Sequence, residues 1–406
     1  VKFSGHLSDL PSFPITAFAK TTNFTTGQFD PRVLGRSGSG KGLDEISAHI
    51  GAVGEAIERY SGARYRLDDC HYGDIQQLSG DYISPQTLVL YSPQQYRDAQ
   101  FPFSRWHEQK KIHWVQGRKL AQDTPVWVPA LVAYFHFNAP FEEQFCQTSS
   151  SGLAAGKNWS DAAIRASFEL IERDAMMLTW YAQLPCQRLS IERFKTGKMA
   201  VMIEQLCNNG VALELYLLDV GLHIPTVVCL GLGDGQSAPA VSVSLAAHDD
   251  INVAISKALL EQGHLLPHLK MMMASDYPVP STIEQVQSLE DHAAYYFNQD
   301  KISAFDFMRQ SEQNAIEPDQ WPYPAINDTA QKRQQIAQRL ASAEVDITII
   351  DITSPDVALS PFTVVRAVGA HMQPIHFGEQ YKRVDNPRLD KLLEGRAVNL
   401  NPHPVA

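Results

Sequence analysis

The sequence has little that would attract nucleic acid or an anionic membrane. Its 34 Lys and Arg are outnumbered by 45 Asp and Glu, for a net charge of −11, and binding to either polyanion wants basic stripes. No apolar run reaches the ~18–20 residues of a membrane span. The opening stretch VKFSGHLSDLPSF lacks signal-peptide architecture, so a cytoplasmic setting is expected. Cysteine is scarce. Cys70, Cys146, Cys186, Cys207 and Cys229 are odd in number, far apart and form no CxxC, which points to ordinary thiols in a reducing compartment. No composition break divides the 406 residues.

What the chain does have is one stretch twice. Ser150–Ala175 reads SSGLAAGKNWSDAAIRASFELIERDA. Shifted back by 114 positions, it falls without a gap on Arg36–Ser61, RSGSGKGLDEISAHIGAVGEAIERYS. Ser37, Gly38 and Gly42 meet Ser151, Gly152 and Gly156. Glu55, Ile57, Glu58 and Arg59 meet Glu169, Ile171, Glu172 and Arg173. Such an echo suggests two copies of one unit doing one job together.

On a helix, residues three apart share a face, so each copy projects two carboxylates side by side with an arginine beside them. Ile46, Ile50, Val53 and Ile57, and in the second copy Ile164, Phe168 and Ile171, are expected to be the core-facing stripes. A Ser/Gly-rich loop precedes each helix and suits an anion near a helix N-terminus. A single ExxER run is an ordinary helical pattern whose exposed Glu–Arg pair contributes little. Two runs facing each other are different. Four converging carboxylates need cations or shifted pKa values, and Mg²⁺ shares carboxylate oxygens with substrate phosphates. The pattern therefore predicts a carboxylate-lined Mg²⁺–nucleotide site.

Elsewhere the periodicity gives α/β alternation. Residues 1–35 read as a turn-rich entry segment and 36–406 as one domain. Strands are expected at IHWVQ and through TPVWVPALVAYFHF, a helix at FKTGKMAVMIEQLCNNG, and strands at VALELYLLDVG and IPTVVCLGLGDG. After a further strand, Asp249-Asp250 caps a helix ending at Glu261 and Gln262. His264 and His268 have metal-like spacing, but Pro267 interrupts them and no acidic partner is near. Residues 275–330 read as a polar, solvated excursion, and EVDITIIDIT and FTVVRAVGAH as closing strands.

SGSGKG…GEAIER and SSSGLAAG…DAAIRASFELIERDA together resemble the two signature blocks of the YcaO family, over a region from about Phe24 to the end. The resemblance implies a single α/β domain with an internal pseudo-repeat and mixed sheets packed with helices. It also implies an uncommon ATP site used to activate a peptide backbone amide, as in the azoline-forming cyclodehydratases of ribosomal peptide natural products. Carried over by position, Glu55, Glu58, Glu169 and Glu172 would be Mg²⁺ ligands. Lys41, Ser47, Arg59, Asp161, Arg173, Glu261, Gln262 and Arg366 would serve the nucleotide. Departures stand at Ser150-Ser151-Gly152, where the family shows Ser-Asn-Gly, at Arg165 in place of Gln, and at Leu266 in place of Arg. The tail Pro402-His403-Pro404-Val405-Ala406 keeps two prolines of a Pro-x-Pro-x-Pro motif that reaches the active site, which makes Pro402, Pro404 and His403 the catalytic candidates of the tail. Implied partners are a precursor peptide, an adaptor protein that binds its leader, a flavin-dependent azoline dehydrogenase and a second copy of this chain. The alternatives are thioamide or macroamidine formation on the same ATP site, or a non-catalytic ATP-binding accessory.

Overall fold

The computed structural model describes residues 13–21, 37–275, 277–310 and 315–405. In chain order its elements are β1 (Ile15–Lys20), β2 (Ser37–Gly42), α1 (Glu45–Gly62), β3 (His71–Gly73), β4 (Asp81–Tyr82), β5 (Ile112–Lys119), β6 (Pro125–Pro129), α2 (Ala130–Ala133), β7 (Leu153–Gly156) and α3 (Trp159–Ala182). There follow β8 (Gln187–Leu189), α4 (Gly197–Asn208), β9 (Ala212–Leu218), β10 (Thr226–Leu232), β11 (Val241–Ala247), α5 (Ile251–Ala274), α6 (Leu289–Ala294), α7 (Asp306–Arg309), α8 (Thr329–Ser342), β12 (Asp346–Asp351), β13 (Thr363–Ala370) and α9 (Pro387–Leu393).

Three sheets result. β1 and β2 form an antiparallel pair, in which Phe18 faces Ser39. β11-β10-β9-β8 is antiparallel throughout. The third runs β4-β6-β5-β12-β13-β7, with β3 beside β5, and is antiparallel except at β4–β6. α3 lies buried where the two larger sheets meet, with Ile171, Met176, Met177 and Trp180 in one continuous core with Val228, Val365 and Ile349. The part of the entry segment that is described, β1, pairs with β2 rather than standing apart. Most of the turn-rich segment expected over residues 1–35 lies outside the described residues.

The sequence echo is a structural one. β2–α1 and β7–α3 are both strand-turn-helix units, and their helix caps, Asp44 and Asn158, stand at equivalent positions. Each side chain accepts the N–H three residues on, from Ser47 and Asp161. Such caps satisfy an orphan donor and set where the helix begins. The first Ser/Gly segment, expected as a loop, is the strand β2, and its glycines serve packing, whereas Ser151 and Gly152 of the second copy stay in a turn ahead of β7. A Cβ on Gly40 would stand 2.0 Å from the Ala48 carbonyl oxygen, and one on Gly38 2.3 Å from that of Ala52.

That close approach overturns the expected core stripe of α1 except at Ile57, which packs against the core. Ala48, Ala52 and Ala56 face β2, because nothing larger fits there, while Ile46, Ile50 and Val53 are 71%, 60% and 41% exposed. In α3 the expected stripe of Ile164, Phe168 and Ile171 is buried. Gly40→Ala should push α1 off β2. The expected loss is about 1–3 kcal/mol, the range for overpacking, read as a lower urea midpoint at unchanged slope.

Three further expectations are corrected. The β6 strand stops at Pro129 and gives way to α2, so ALVAYFHF is not strand. α5 does not end at Gln262; it runs through Pro267 to Ala274, with Leu259, Leu266 and Leu269 buried along it, and this burial outweighs the hydrogen bond a proline removes. Residues 275–330 are no solvated excursion, since Tyr295, Tyr296, Phe297, Phe305 and Met308 are buried core residues.

Candidate functional site

The two ExxER helices meet. α1 packs on β7, the strand of the other copy, and the Ala155 N–H donates to Glu58 Oε1 at 2.7 Å. Glu55 is held from its own copy. The Ser39 N–H donates to its Oε2 at 2.6 Å, the Ser39 hydroxyl at 3.0 Å, and Arg59 Nη2 to its Oε1 at 2.6 Å. Across the gap, Glu169 feels Arg173, Glu172 and Arg366, and the Gly152 N–H binds its carboxylate. Glu172 pairs with Arg173 at 3.3 Å.

The crowding shows in the acidities. Desolvation, first of all, pushes Glu58 up to about 8, and the nearby charges of Glu169 and Glu55 add to it. Burial likewise pushes Glu169 up to about 7, against the pull of Arg173. Both side chains keep a partly accessible surface. Carboxylates so placed are short of positive charge, and hard oxygen donors in this number suit a divalent cation such as Mg²⁺.

A basic rim surrounds the carboxylates. Lys41, on β2, contacts Glu261 on α5. Burial lowers its pKa to about 8, and Glu55 and Glu172 are the largest opposing charges. Lys257 lies one helical turn before Glu261. It is lowered by burial and then by Arg165, while Glu172 and Asp161 pull it back up. Asp161 accepts from Arg165 Nε at 3.1 Å and from the Lys157 N–H at 3.2 Å. The structure thus brings Lys41, Glu55, Glu58, Arg59, Asp161, Glu169, Glu172, Arg173, Glu261 and Arg366 around one volume.

Two expected nucleotide residues have their side chains engaged within the fold. Ser47 spends its hydroxyl on Asp44 Oδ2 at 2.8 Å, as part of the helix cap. Gln262 is fully buried and turned into the β10–β11 sheet, where its Nε2 donates to Ser242 Oγ. Being one residue on from Glu261, it points to a different face of α5. Sequence reasoning missed Lys257, whose i,i+4 spacing to Glu261 was the available signal. It read Arg165 only as a departure. His264 shares a hydrogen bond with Thr16 Oγ1 at 3.2 Å, and it forms no metal-binding group with His268 among the described residues.

The tail is buried from Asn399 to Val405 apart from a half-exposed Asn401 and an exposed Leu400. Trp180 Nε1 donates to the Asn401 carbonyl at 2.9 Å, and Tyr296 OH to that of Pro402. The Asn399 N–H donates to the Tyr181 carbonyl at 2.9 Å, and Asn399 Nδ2 to that of Trp180 at 3.1 Å. Val405 joins the α3 core. His403 packs in a cluster with His292 and His376, its ring stacked on that of His292 at 3.8 Å. His403 Nε2 donates to the His376 carbonyl at 2.7 Å, and His292 Nδ1 donates to the His403 carbonyl at 2.9 Å. The partners of His403 are thus imidazoles and carbonyls, not the carboxylate cluster. Burial pushes His292 down to about 4 and His403 well below the usual imidazole range, and it lowers His376 against the pull of Glu379. These rings are neutral in the folded protein, whereas an unfolded histidine takes up its proton near ~6.5. Stability is therefore complete above that pH and falls as the pH drops towards 4. Glu58 and Glu169 act in the opposite sense over the same range, so the check is a difference: from pH 7 to pH 5 the wild type should lose melting temperature relative to His403→Gln.

Against known proteins, a family model described as YcaO cyclodehydratase, ATP- and Mg²⁺-binding, matches residues 39–373. An uncharacterised protein of Methanothermobacter thermautotrophicus is 24% identical over 228 residues, 55% of each chain. The chain spans about half the length of the curated relatives it matches. In fold it is similar to a heterocyclase solved in complex with substrate and cofactor, with a TM-score of 0.77 and 21% identity over 92% of this chain and 50% of that one. It is also similar to a protein of Methanopyrus kandleri bound with AMPPCP and Mg²⁺, with a TM-score of 0.58 and 19% identity over 91% of this chain and 84% of the other.

Proposed function

The chain belongs to the YcaO family, and from that premise we propose that it uses ATP and Mg²⁺ to activate a backbone amide of a ribosomal precursor peptide, converting Cys, Ser or Thr to an azoline. The observation that carries this reading is the meeting of the two Glu pairs, with Glu58 held by the strand of the second copy and coupled to Glu169. Residues 36–406 would act as one catalytic unit. No helix of the described residues is long and apolar enough to cross a membrane.

When bound, ATP and Mg²⁺ supply a phosphoryl group that makes the amide oxygen a leaving group. Glu55, Glu58, Glu169 and Glu172 would hold the cation, and Lys41, Lys257, Arg165 and Arg173 would neutralise the phosphates. Asp161 and Arg59 orient Arg165 and Glu55. The substrate's thiol or hydroxyl adds to the preceding carbonyl carbon and loses its proton. The carbonyl oxygen then takes the phosphoryl group and ADP departs. Finally the C–O bond breaks, the amide nitrogen gives up its proton, and phosphate leaves behind a C=N bond. The protein's share is position and charge. Pro402, Pro404 and His403 would act by fixing the wall of this site, since the tail is clamped against α3 and the loop that follows β13.

A leader-binding adaptor, a second copy of this chain and a flavin-dependent dehydrogenase complete the proposed assembly. The deciding experiment is titration with AMPPCP: binding should require Mg²⁺. A chain that binds no nucleotide with Mg²⁺ present sinks the reading. With precursor and adaptor, mass spectrometry should show loss of water per site, whereas exchange of oxygen for sulfur would instead make the product a thioamide.

A further inference from the structure

Beside the carboxylate cluster lies a cavity of about 90 Å³, room for a few waters. It is too small for a nucleoside. Arg173, Arg366 and Arg383 line it, and no acidic side chain stands among its lining residues in the described part of the chain. In a protein with a net charge of −11, that concentration of one sign is local and built.

Two of these arginines are buried with donors to spare. Arg366 gives Nε to the Val132 carbonyl at 3.0 Å, but its Nη1 has no hydrogen-bond partner. Arg383 gives Nη2 to the carbonyls of Gln147 and Ile375, each at 3.4 Å, and its Nε has none. Both residues are more than nine-tenths buried. Leaving a guanidinium donor buried and unsatisfied is costly, and charge-assisted bonds from Arg to an oxyanion are the strong remedy. Leu170, Met372 and Ile375 complete the wall, and this apolar lining strengthens each charge.

We infer that this cavity is an oxyanion subsite, separate from the metal-binding carboxylates and bordering them at Arg173 and Arg366. It takes a compact phosphoryl-sized anion, either carried on the carbon centre formed from the peptide amide or released from it as free phosphate. The inference deepens the proposed function and rests on it for the identity of the anion. Arg383 could not have been picked out beforehand, since it lies in the loop between β13 and α9 and matches no motif.

The test uses inorganic phosphate and propylphosphonate as probes, titrated into the whole chain without metal or nucleotide. Phosphate should bind, and Arg383→Lys and Arg366→Lys should each weaken it by about tenfold, the loss of one charge-assisted bond. Arg383→Lys should leave Mg²⁺-AMPPCP affinity within about threefold, which separates this subsite from the carboxylate cluster. Tighter binding of the phosphonate identifies the substrate-borne anion, and equal or weaker binding identifies free phosphate. Failure of wild-type protein to bind either probe, or undiminished binding by both variants, overturns the inference. Should the variants unfold, arsenate soaked into wild-type crystals must appear between Arg366 and Arg383, and its absence there overturns the inference too. Failure of the wild type to bind AMPPCP would instead strike the proposed function.

Discussion

Glu169→Gln is expected to abolish Mg²⁺-dependent AMPPCP binding and to raise the melting temperature of the nucleotide-free protein. The first effect follows from removing one of four converging carboxylates. Groups that merely orient metal ligands are worth about 10–100-fold, so loss of a proposed ligand should cost at least about 100-fold. The second effect follows from burial, which pushes Glu169 up to about 7. A carboxylic acid whose folded pKa is raised holds its proton where the unfolded chain has released it, so the fold weakens as pH rises from the ordinary Glu range through 7. Glutamine carries no such charge. The gain in melting temperature should therefore be large at pH 8 and nearly absent at pH 5, where Glu169 is already protonated. Equal gains at both pH values, or unchanged nucleotide affinity, would show that the cluster is not under the electrostatic load described.

Asp174→Ala is expected to be the most destabilising single change. Asp174 is fully buried on α3 and binds Arg388 of α9 at both oxygens, at 2.7 and 2.9 Å, while Oδ1 also accepts the Gln373 N–H at 2.6 Å. Burial raises its pKa even with Arg388 beside it, the mark of a pair whose desolvation is incompletely offset. Breaking such a pair strands a buried charge, at about 3–5 kcal/mol. Arg388 sits on the last helix, so the loss should also loosen the tail. Replacing both partners with apolar residues, Asp174→Leu with Arg388→Met, should recover much of the loss. Urea unfolding of the two variants checks both claims, and a single substitution costing under about 1 kcal/mol would refute the first.

The carboxylate cluster was legible because its members are local. Glu55 and Glu58, like Glu169 and Glu172, sit one turn apart, and the repeat pointed to the two pairs being related. Arrangements made by distant segments left no such trace. His292, His376 and His403 come from α6, a loop and the tail, with no spacing to read. Arg383 was equally silent. The misread face of α1 has a different cause. Bulky side chains normally mark the buried side, but Gly38 and Gly40 admit the helix so closely that alanines took the inner positions. The solvated reading of 275–330 failed because its many polar residues obscured the buried aromatics at 295–297 and 305.

The bond from Ala155 to Glu58 crosses from one repeat to the other. Neither half of the chain holds the whole carboxylate cluster, so a drift in the backbone of the later strand is felt by the earlier helix. A chain severed between them should yield fragments that are inert alone and regain nucleotide affinity only on reassociation.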